Sequence, residues 1–409
     1  MGQYVTEINV GAIAADGTAQ VRGAIAVDDT IQVKGYETKA GSRILEGFKP
    51  LFSAEAAERL EKAGYVIAGK TAVGEFGLDL LGEFSHSGAH CNAAGELRGA
   101  AAELVAAGGV RGALNVDLNG TPRRAAALSG VTFLKPTYGT VSRYGVIPCA
   151  CSGEQIGVTA KTAADVRELL RVIAGHDGKD GTSLPETAYD YGDGKAVNGM
   201  RVGVVKELVN AASEETQARI RERVETLRGL GVTVEEVSMP LAEAARTAWN
   251  LALCAETCNN VSRYDGVKFG YRSPDYKNID ELYVNSRTEG LNFLTKAVIL
   301  YGSDALSKGR YFTCYDKALK IRRLASEQLK ALFKTYDALL CPACGKTEYR
   351  PYAIKDAFGA VFAESLFTAI PNLTGVPAIV CGGVQFMADA LRDKDLLNLA
   401  EALEGGDAQ

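Results

Sequence analysis

Between Gly95 and Gly139 the chain alternates short apolar runs with glycine and polar breaks, and the spacing of those breaks predicts helix, strand, turn, helix, strand. Ala100 to Ala107 is a run of helix formers closed by Gly108-Gly109, and Val110 to Val116 is a mostly apolar strand. Leu118-Asn119-Gly120 turns the chain into a second helix, whose start is marked by Thr121-Pro122. A Thr hydroxyl there can accept from an orphan N–H, and Pro at the first helical position forfeits no hydrogen bond. Gly130 ends that helix and Val131 to Leu134 begins the next strand.

The same reading extends in both directions. Arg22 to Thr30 reads as a strand running into a turn. Ser53 is placed to cap an amphipathic helix over Ala54 to Ala63, which Gly64 ends before a strand over Tyr65 to Ala68. Thr162 and Asp165 suit the first turn of a helix over Ala163 to Ala174, whose buried face is Val166, Leu169, Leu170 and Ile173. Met200 to Val205, Glu214 to Leu230 and Val232 to Val237 repeat strand, helix, strand; Ser307 to Lys334 reads mostly helical, and Asp337 to Leu340 is a buried strand. Such alternation predicts an α/β class.

Composition narrows the function classes. A formal charge of −5 supplies no basic field, so direct nucleic-acid binding is not expected. No apolar run reaches the ~18 residues of a membrane span and no charged leader precedes an apolar segment, so the expected location is the cytoplasm. Nine cysteines, an odd number scattered through a long chain, fit reduced thiols rather than a disulfide framework. Met1-Gly2 with Thr6 matches the form of an acylation site but lacks the second signal that stable anchoring needs. His86, His90 and Cys91 have a spacing a metal could use, yet no second ligand cluster is near in sequence; they read as loop polar groups, and no metal or cofactor is expected. His176 reads as a cap or loop hydrogen-bonding group.

Several stretches carry a family resemblance. Leu134 to Gly139 (Leu-Lys-Pro-Thr-Tyr-Gly), Ser142 to Gly145, Ala174 to Ser183, Gly69-Lys70-Thr71, Glu75-Phe76, Arg263 to Arg272, Ser286 to Gly290 and Ile370 to Val380 resemble the amidase-signature family, in particular its branch of tRNA-dependent amidotransferase A subunits. The resemblance runs from Arg22 to Glu404 with trimmed loops. It implies an amidase-signature α/β fold, a mixed central sheet sandwiched between helices, as one domain over 1–409 with 1–20 a short extension. The family's longer N-terminal helical segment is missing, which implies a sheet face left for a partner. Cys341-Pro342-Ala343-Cys344 falls where the family has a Thr-Pro-Thr type segment leaving the sheet, so a redox role is not expected.

The resemblance breaks at the chemistry. In the family a lysine takes a proton through a bridging serine from a nucleophilic serine, and the backbone of a Gly-rich turn holds the oxyanion. Those three positions are Asp28, Leu97 and Thr121 here, and Lys34 is no replacement because it matches a separate Lys-Gly pair. Leu97 has no atom to relay a proton, and a secondary hydroxyl needs an adjacent base. Losing such a unit removes on the order of 10⁶ in turnover. Of the oxyanion turn, Gly120 is kept and Asn119 replaces a glycine; the positions that hold the substrate's carboxylate and amine fall at Val298 and at Ser365, with Glu364 beside it. The expectation is a pseudoamidase acting as a binding or regulatory subunit, with amidotransferase-like B and C subunits or a second copy as partner. The rival is an active amidase or glutaminase supplying ammonia for converting Glu-tRNA(Gln) or Asp-tRNA(Asn), with Cys149 or Cys151 as a relocated nucleophile.

Overall fold

A computed structural model describes residues 4–7, 23–186, 189–194 and 196–406. The Met1-Gly2 acylation pattern and most of the N-terminal extension lie outside these residues.

Among the described residues, eleven strands form one mixed sheet: β1 (Tyr4–Glu7), β2 (Ala24–Asp28), β3 (Val66–Thr71), β4 (Gly112–Asp117), β5 (Thr132–Lys135), β6 (Gln155–Ala160), β7 (Arg201–Val205), β8 (Thr233–Val237), β9 (Ala338–Cys341), β10 (Ala378–Cys381) and β11 (Val384–Met387). Their spatial order is β1-β3-β2-β4-β6-β5-β10-β11-β9-β7-β8. β2 runs parallel to β3 and β4, β7 runs parallel to β8 and β9, and antiparallel pairs through β6, β5, β10 and β11 join the two parallel groups.

Period-two alternation sends neighbouring side chains to opposite faces, and both faces are buried. Ile25 and Val27 enter one apolar cluster with Leu114, Leu134 and Ile379, while Ala26 enters the other with Phe133, Val380 and Trp249. Helices Glu55–Lys62, Ala163–Ile173, Glu214–Gly229 and Asp393–Gly406 contribute to the first cluster; Ala100–Ala106, Thr121–Ser129 and Ala242–Val261 contribute to the second. This is the expected mixed sheet between helical layers. The hairpin joining β10 to β11 is as short as expected: Gly382 and Gly383 both take positive φ, +54° and +78°, as a two-residue turn of this kind demands.

Three local expectations are corrected. The helix Glu55–Lys62 is flanked by Ala54, not capped by Ser53, whose hydroxyl instead accepts from Lys34 N at 3.0 Å. The helix predicted from Ser307 begins only at Tyr315, because turns occupy the intervening residues. The helix Thr121–Ser129 starts where Thr121-Pro122 places it, but Gly120 is the cap residue, at φ +81°, with no side-chain cap bond. Gly120 is required twice over, since a Cβ there would lie 2.3 Å from the Cβ of Thr368.

The large exposed apolar side chains also differ in place from the expectation of an uncovered sheet face. Ile279, Val284, Leu300, Tyr301 and Phe312 project from the helices Ile279–Gly290 and Phe293–Leu306 and the turns after them. Strands β2 to β11 are buried apart from the edge strand β8, Val116 on β4 and the first residues of β2, β3 and β7.

Candidate functional site

The C-terminal ends of β2 and β4 and the starts of helices Ala100–Ala106 and Thr121–Ser129 meet around a narrow cavity of about 50 Å³. Asp28 ends β2 and Thr121 starts its helix, so the fold brings these two residues to one cavity although 93 positions, 121 minus 28, separate them. Phe76, Leu118 and Ile147 supply apolar wall; Asn115, Cys149, Glu154 and Thr159 add polar atoms. Among the described residues, no Lys, Arg or His lines it.

Each polar group there already has a structural engagement. Asp28 Oδ1 accepts from the amide (2.9 Å) and hydroxyl of Thr30, and Oδ2 accepts from Val116 N at 2.6 Å. Burial pushes its carboxyl up to about 6, against the pull of those donors and of Lys70. The Thr121 hydroxyl donates to the backbone carbonyl of Asp79 at 2.8 Å. Glu154 Oε2 accepts from Cys149 N and Ala150 N, while Oε1 lies 3.3 Å from Arg143 Nη1; burial still raises its pKa.

The other sequence candidates lie elsewhere. Leu97 is fully buried and does not line the cavity, its amide donating to Tyr349 O at 2.8 Å. Asn119 does not project into the cavity: its Oδ1 accepts from Trp249 Nε1 at 3.1 Å and its Nδ2 donates to Leu78 O at 3.3 Å. Val298 lines a separate cavity of about 10 Å³ with Leu294, Phe358 and Phe362. Ser365 is buried, accepting from Asn250 Nδ2 at 2.7 Å and donating to Phe362 O at 2.8 Å, and Glu364 accepts from Gly345 N at 3.0 Å. The structure thus does not bring Val298 and Ser365 together with Asp28 and Thr121.

Burial holds the candidate thiols protonated. It pushes Cys149 well above the usual thiol range, with its Sγ 3.3 Å from Thr257 Oγ1, and it also raises Cys151. Cys341 and Cys344 are free, buried, and each pushed up to about 12. His176 Nδ1 sits 3.1 Å from Leu184 O, the loop hydrogen bond expected of it. Among the described residues no group of three or more His, Cys, Asp or Glu side chains converges as metal ligands would, and no helix is long and apolar enough to cross a membrane.

Sequence reasoning missed Asp79 and Glu154. Asp79 is fully buried; burial, then the neighbouring Glu83 charge, push its carboxyl up to about 8, although Phe84 N and Gly82 N donate to it. Spacing carried no signal for either acid, since each lies in a loop and accepts from backbone amides a few residues away, Asp79 from Gly82 and Phe84 and Glu154 from Cys149 and Ala150. Their protons have a consequence for stability. Asp28 and Asp79 bind protons more tightly folded than at the ordinary value of 3.8, so the native state carries the extra protons and loses stability as pH rises, up to about 6 for Asp28 and up to about 8 for Asp79. Lys135, lowered to about 8 by burial, works oppositely only above that value. Thermal melts should therefore still fall between about pH 6 and pH 8. Asp79→Asn should flatten that upper part of the slope, and an unchanged slope would mean that Asp79 is ionised in the native state.

Comparison with known proteins places this geometry. Residues 24–397 match the amidase family. The A subunit of glutamyl-tRNA(Gln) amidotransferase from Deinococcus deserti is 38% identical over 389 residues, covering 90% of this chain and 80% of the relative. Its namesake from Coxiella burnetii is 37% identical over 382 residues, covering 89% and 79%. Among solved structures, the A subunit of glutamyl-tRNA(Gln) amidotransferase from Thermotoga maritima superposes with a TM-score of 0.77 at 30% identity over 93% of this chain and 82% of that one. Peptide amidase from Stenotrophomonas maltophilia does so at 0.75 and 26% identity, over 93% and 82%.

Proposed function

Because this chain belongs to the amidase-signature family, we propose that it is a catalytically inactive relative of the amidotransferase A subunits, with a binding or regulatory role. The observation that carries this reading is the engagement of Thr121. Its hydroxyl, at the family's nucleophile position, donates to the Asp79 carbonyl, a group that cannot take its proton. Asp28 meets Thr30 and Val116 rather than a relay, and the relay position is the buried, apolar Leu97. A nucleophile needs a neighbouring base to take its proton, and the cavity lacks that pairing. The rival, an amide hydrolase using Cys149 or Cys151, is opposed by burial, which keeps both thiols protonated when the thiolate is the nucleophile.

The relatives named above are subunits of amidotransferases, which supports a partner of the B or C type, or a second copy, for this chain. The apolar side chains exposed on helices Ile279–Gly290 and Phe293–Leu306 support the same idea, since large apolar patches mark interaction surfaces.

The test is an amide-hydrolysis assay on purified protein with glutamine and short aliphatic amides. Turnover should stay at background. Thr121→Ala should change stability by about 0.5–1.5 kcal/mol, the worth of one hydrogen bond, with no effect on a background rate. Amide hydrolysis that Thr121→Ala abolishes would overturn the reading.

A further inference from the structure

The polar lining of the cavity beside Asp28 sets a preference among small ligands. Asp28 is 2% exposed and lines the cavity directly. An ionised carboxylate offers about four acceptor positions. Three are taken, by the amide and hydroxyl of Thr30 and by Val116 N, and none of these donors is a cation. The nearest basic group among those acting on it, Lys70, lies on β3 and is ion-paired with Asp29 at 3.3 Å.

The oxygens of Thr121 and Glu154 have the same sense, whereas Asn115, whose Oδ1 accepts from Thr159 Oγ1 at 2.8 Å, brings an amide donor to the lining. Thr121 has already donated its hydroxyl proton to Asp79 O, so toward a ligand its oxygen can only accept. Glu154 is an acceptor as well, held from behind by Arg143. Phe76, Leu118 and Ile147 supply apolar surface to the same cavity. A ligand that complements this lining carries N–H donors and positive charge at one end and a short apolar body at the other. Size sets a further limit. One water needs roughly 10–15 Å³ of such volume, so about 50 Å³ holds roughly three to five heavy atoms.

We propose that this cavity is a binding site for a small primary alkylammonium ion, its ammonium group on Asp28 and Thr121 and its alkyl chain against Phe76, Leu118 and Ile147. The proposal rests on the reading of the chain as a non-hydrolytic binding subunit and names the class of molecule it binds. An amide would place a carbonyl oxygen, and a carboxylate two oxygens, beside the acceptor oxygens of Asp28, Thr121 and Glu154, with Asn115 the side-chain amide donor at the cavity. Both lose the charge attraction of Asp28, and the carboxylate adds repulsion.

The dependence on pH has a definite sign. The ionisable groups around Asp28 are Lys70 and Asp29 from the neighbouring elements and, at the same cavity, Glu154 and Cys149. Between about pH 5 and pH 7.5 the thiol stays neutral and the Lys70–Asp29 pair compensates itself, whereas Asp28 ionises near 6 and Glu154, also raised, moves in the same direction. Alkylammonium affinity should therefore rise by about tenfold from pH 5 to pH 7.5.

Saturation-transfer NMR titrations with n-propylammonium chloride, propionamide and sodium propionate test this, because the three share a size and differ in the head group. Propylammonium should bind at pH 7.5 about tenfold or more tightly than propionamide, with no saturation transfer to propionate. In Asp28→Asn the propylammonium affinity should drop by about tenfold and that of propionamide should not. Equal affinity for ammonium and amide, affinity for propylammonium that ignores pH, or no propylammonium signal would each overturn the proposal. If Asp28→Asn does not fold, the ranking of the three ligands and the pH profile of the unmodified chain decide it. Hydrolysis of propionamide would instead overturn the non-hydrolytic reading, whereas a silent propylammonium titration without hydrolysis leaves that reading standing and removes only this one.

Discussion

Arg123→Ala should destabilise the chain by about 3–5 kcal/mol, as expected when one partner is removed from a buried ion pair and the other is left charged. Arg123 and Asp117 are both completely buried. Arg123 Nε donates to Asp117 Oδ2 at 2.7 Å and Nη2 donates to Oδ1 at 3.0 Å, a two-point contact that fixes the guanidinium plane. Its remaining donors reach Gln385 Oε1 at 2.8 Å and Thr368 O at 3.0 Å, and Asn372 Nδ2 adds a bond to Asp117 Oδ1 at 2.9 Å. Burial alone would raise the Asp117 pKa, but the guanidinium and Asn372 outweigh it and hold the carboxyl below the usual range. The network ties the end of β4 to the helices Thr121–Ser129 and Ala369–Thr374 and to β11, so its loss is felt across the sheet rather than at one loop. Denaturant titration of Arg123→Ala, Asp117→Ala and the double variant checks it. The double variant should cost clearly less than the two single losses added, because each single leaves a partner stranded. A single loss below about 1 kcal/mol would mean that water or a neighbour replaces the missing side chain.

That network also marks how far the sequence could be read. The order of strand, helix and strand was legible from the spacing of apolar runs and glycines, because burial of both sheet faces forces that spacing. β2, β4 and β5 fall within two residues of the runs that announce them. The positions of Asp28 and Thr121 at one cavity were legible through the family resemblance, which carries three-dimensional information that spacing lacks. The cap at Thr121 was misread because local propensity favours Thr there, while the tight approach of Thr368 demands glycine one residue earlier. Arg123-Arg124 offered no sign of burial, since adjacent arginines in a helix read as a solvated face, and their acceptors come from segments up to 262 residues away. Asp79 and Glu154 were invisible for a different reason: their backbone donors lie within five residues, but the burial that raises both carboxyls comes from how the loops pack. Val298 and Ser365, which the family resemblance gives as degenerate substrate-holding positions, are both buried, Val298 near Phe358 and Phe362 and Ser365 bonded to Asn250 and Phe362.

Trp249→Ala should cost a further comparable amount, about 3–5 kcal/mol, the range for deleting a large buried aromatic. Trp249 is 1% exposed in the middle of the helix Ala242–Val261, and it is the only tryptophan of the chain. Two contacts show that the surrounding structure is fitted to the ring rather than merely next to it. Gly153 has no alternative as a residue type, because a Cβ there would stand 2.1 Å from Trp249 Cη2. Asn119, the side chain that replaces a glycine of the family's oxyanion turn, accepts from Trp249 Nε1 through its Oδ1. The indole therefore anchors the turn that precedes Thr121, and the substitution at Asn119 is a packing and hydrogen-bonding device rather than an obstruction of the cavity. Two variants separate these contributions. Trp249→Phe keeps most of the apolar body and strands the Asn119 oxygen, for an expected loss of about 1–3 kcal/mol, while Trp249→Ala adds the cavity. The unmodified protein should show the blue-shifted emission of a buried indole, lost on unfolding, which gives an intrinsic readout for every variant that keeps Trp249; for the Trp249 variants circular dichroism serves instead. If Trp249→Phe proves as costly as Trp249→Ala, the hydrogen bond to Asn119 and not the packing of the ring holds the turn in place.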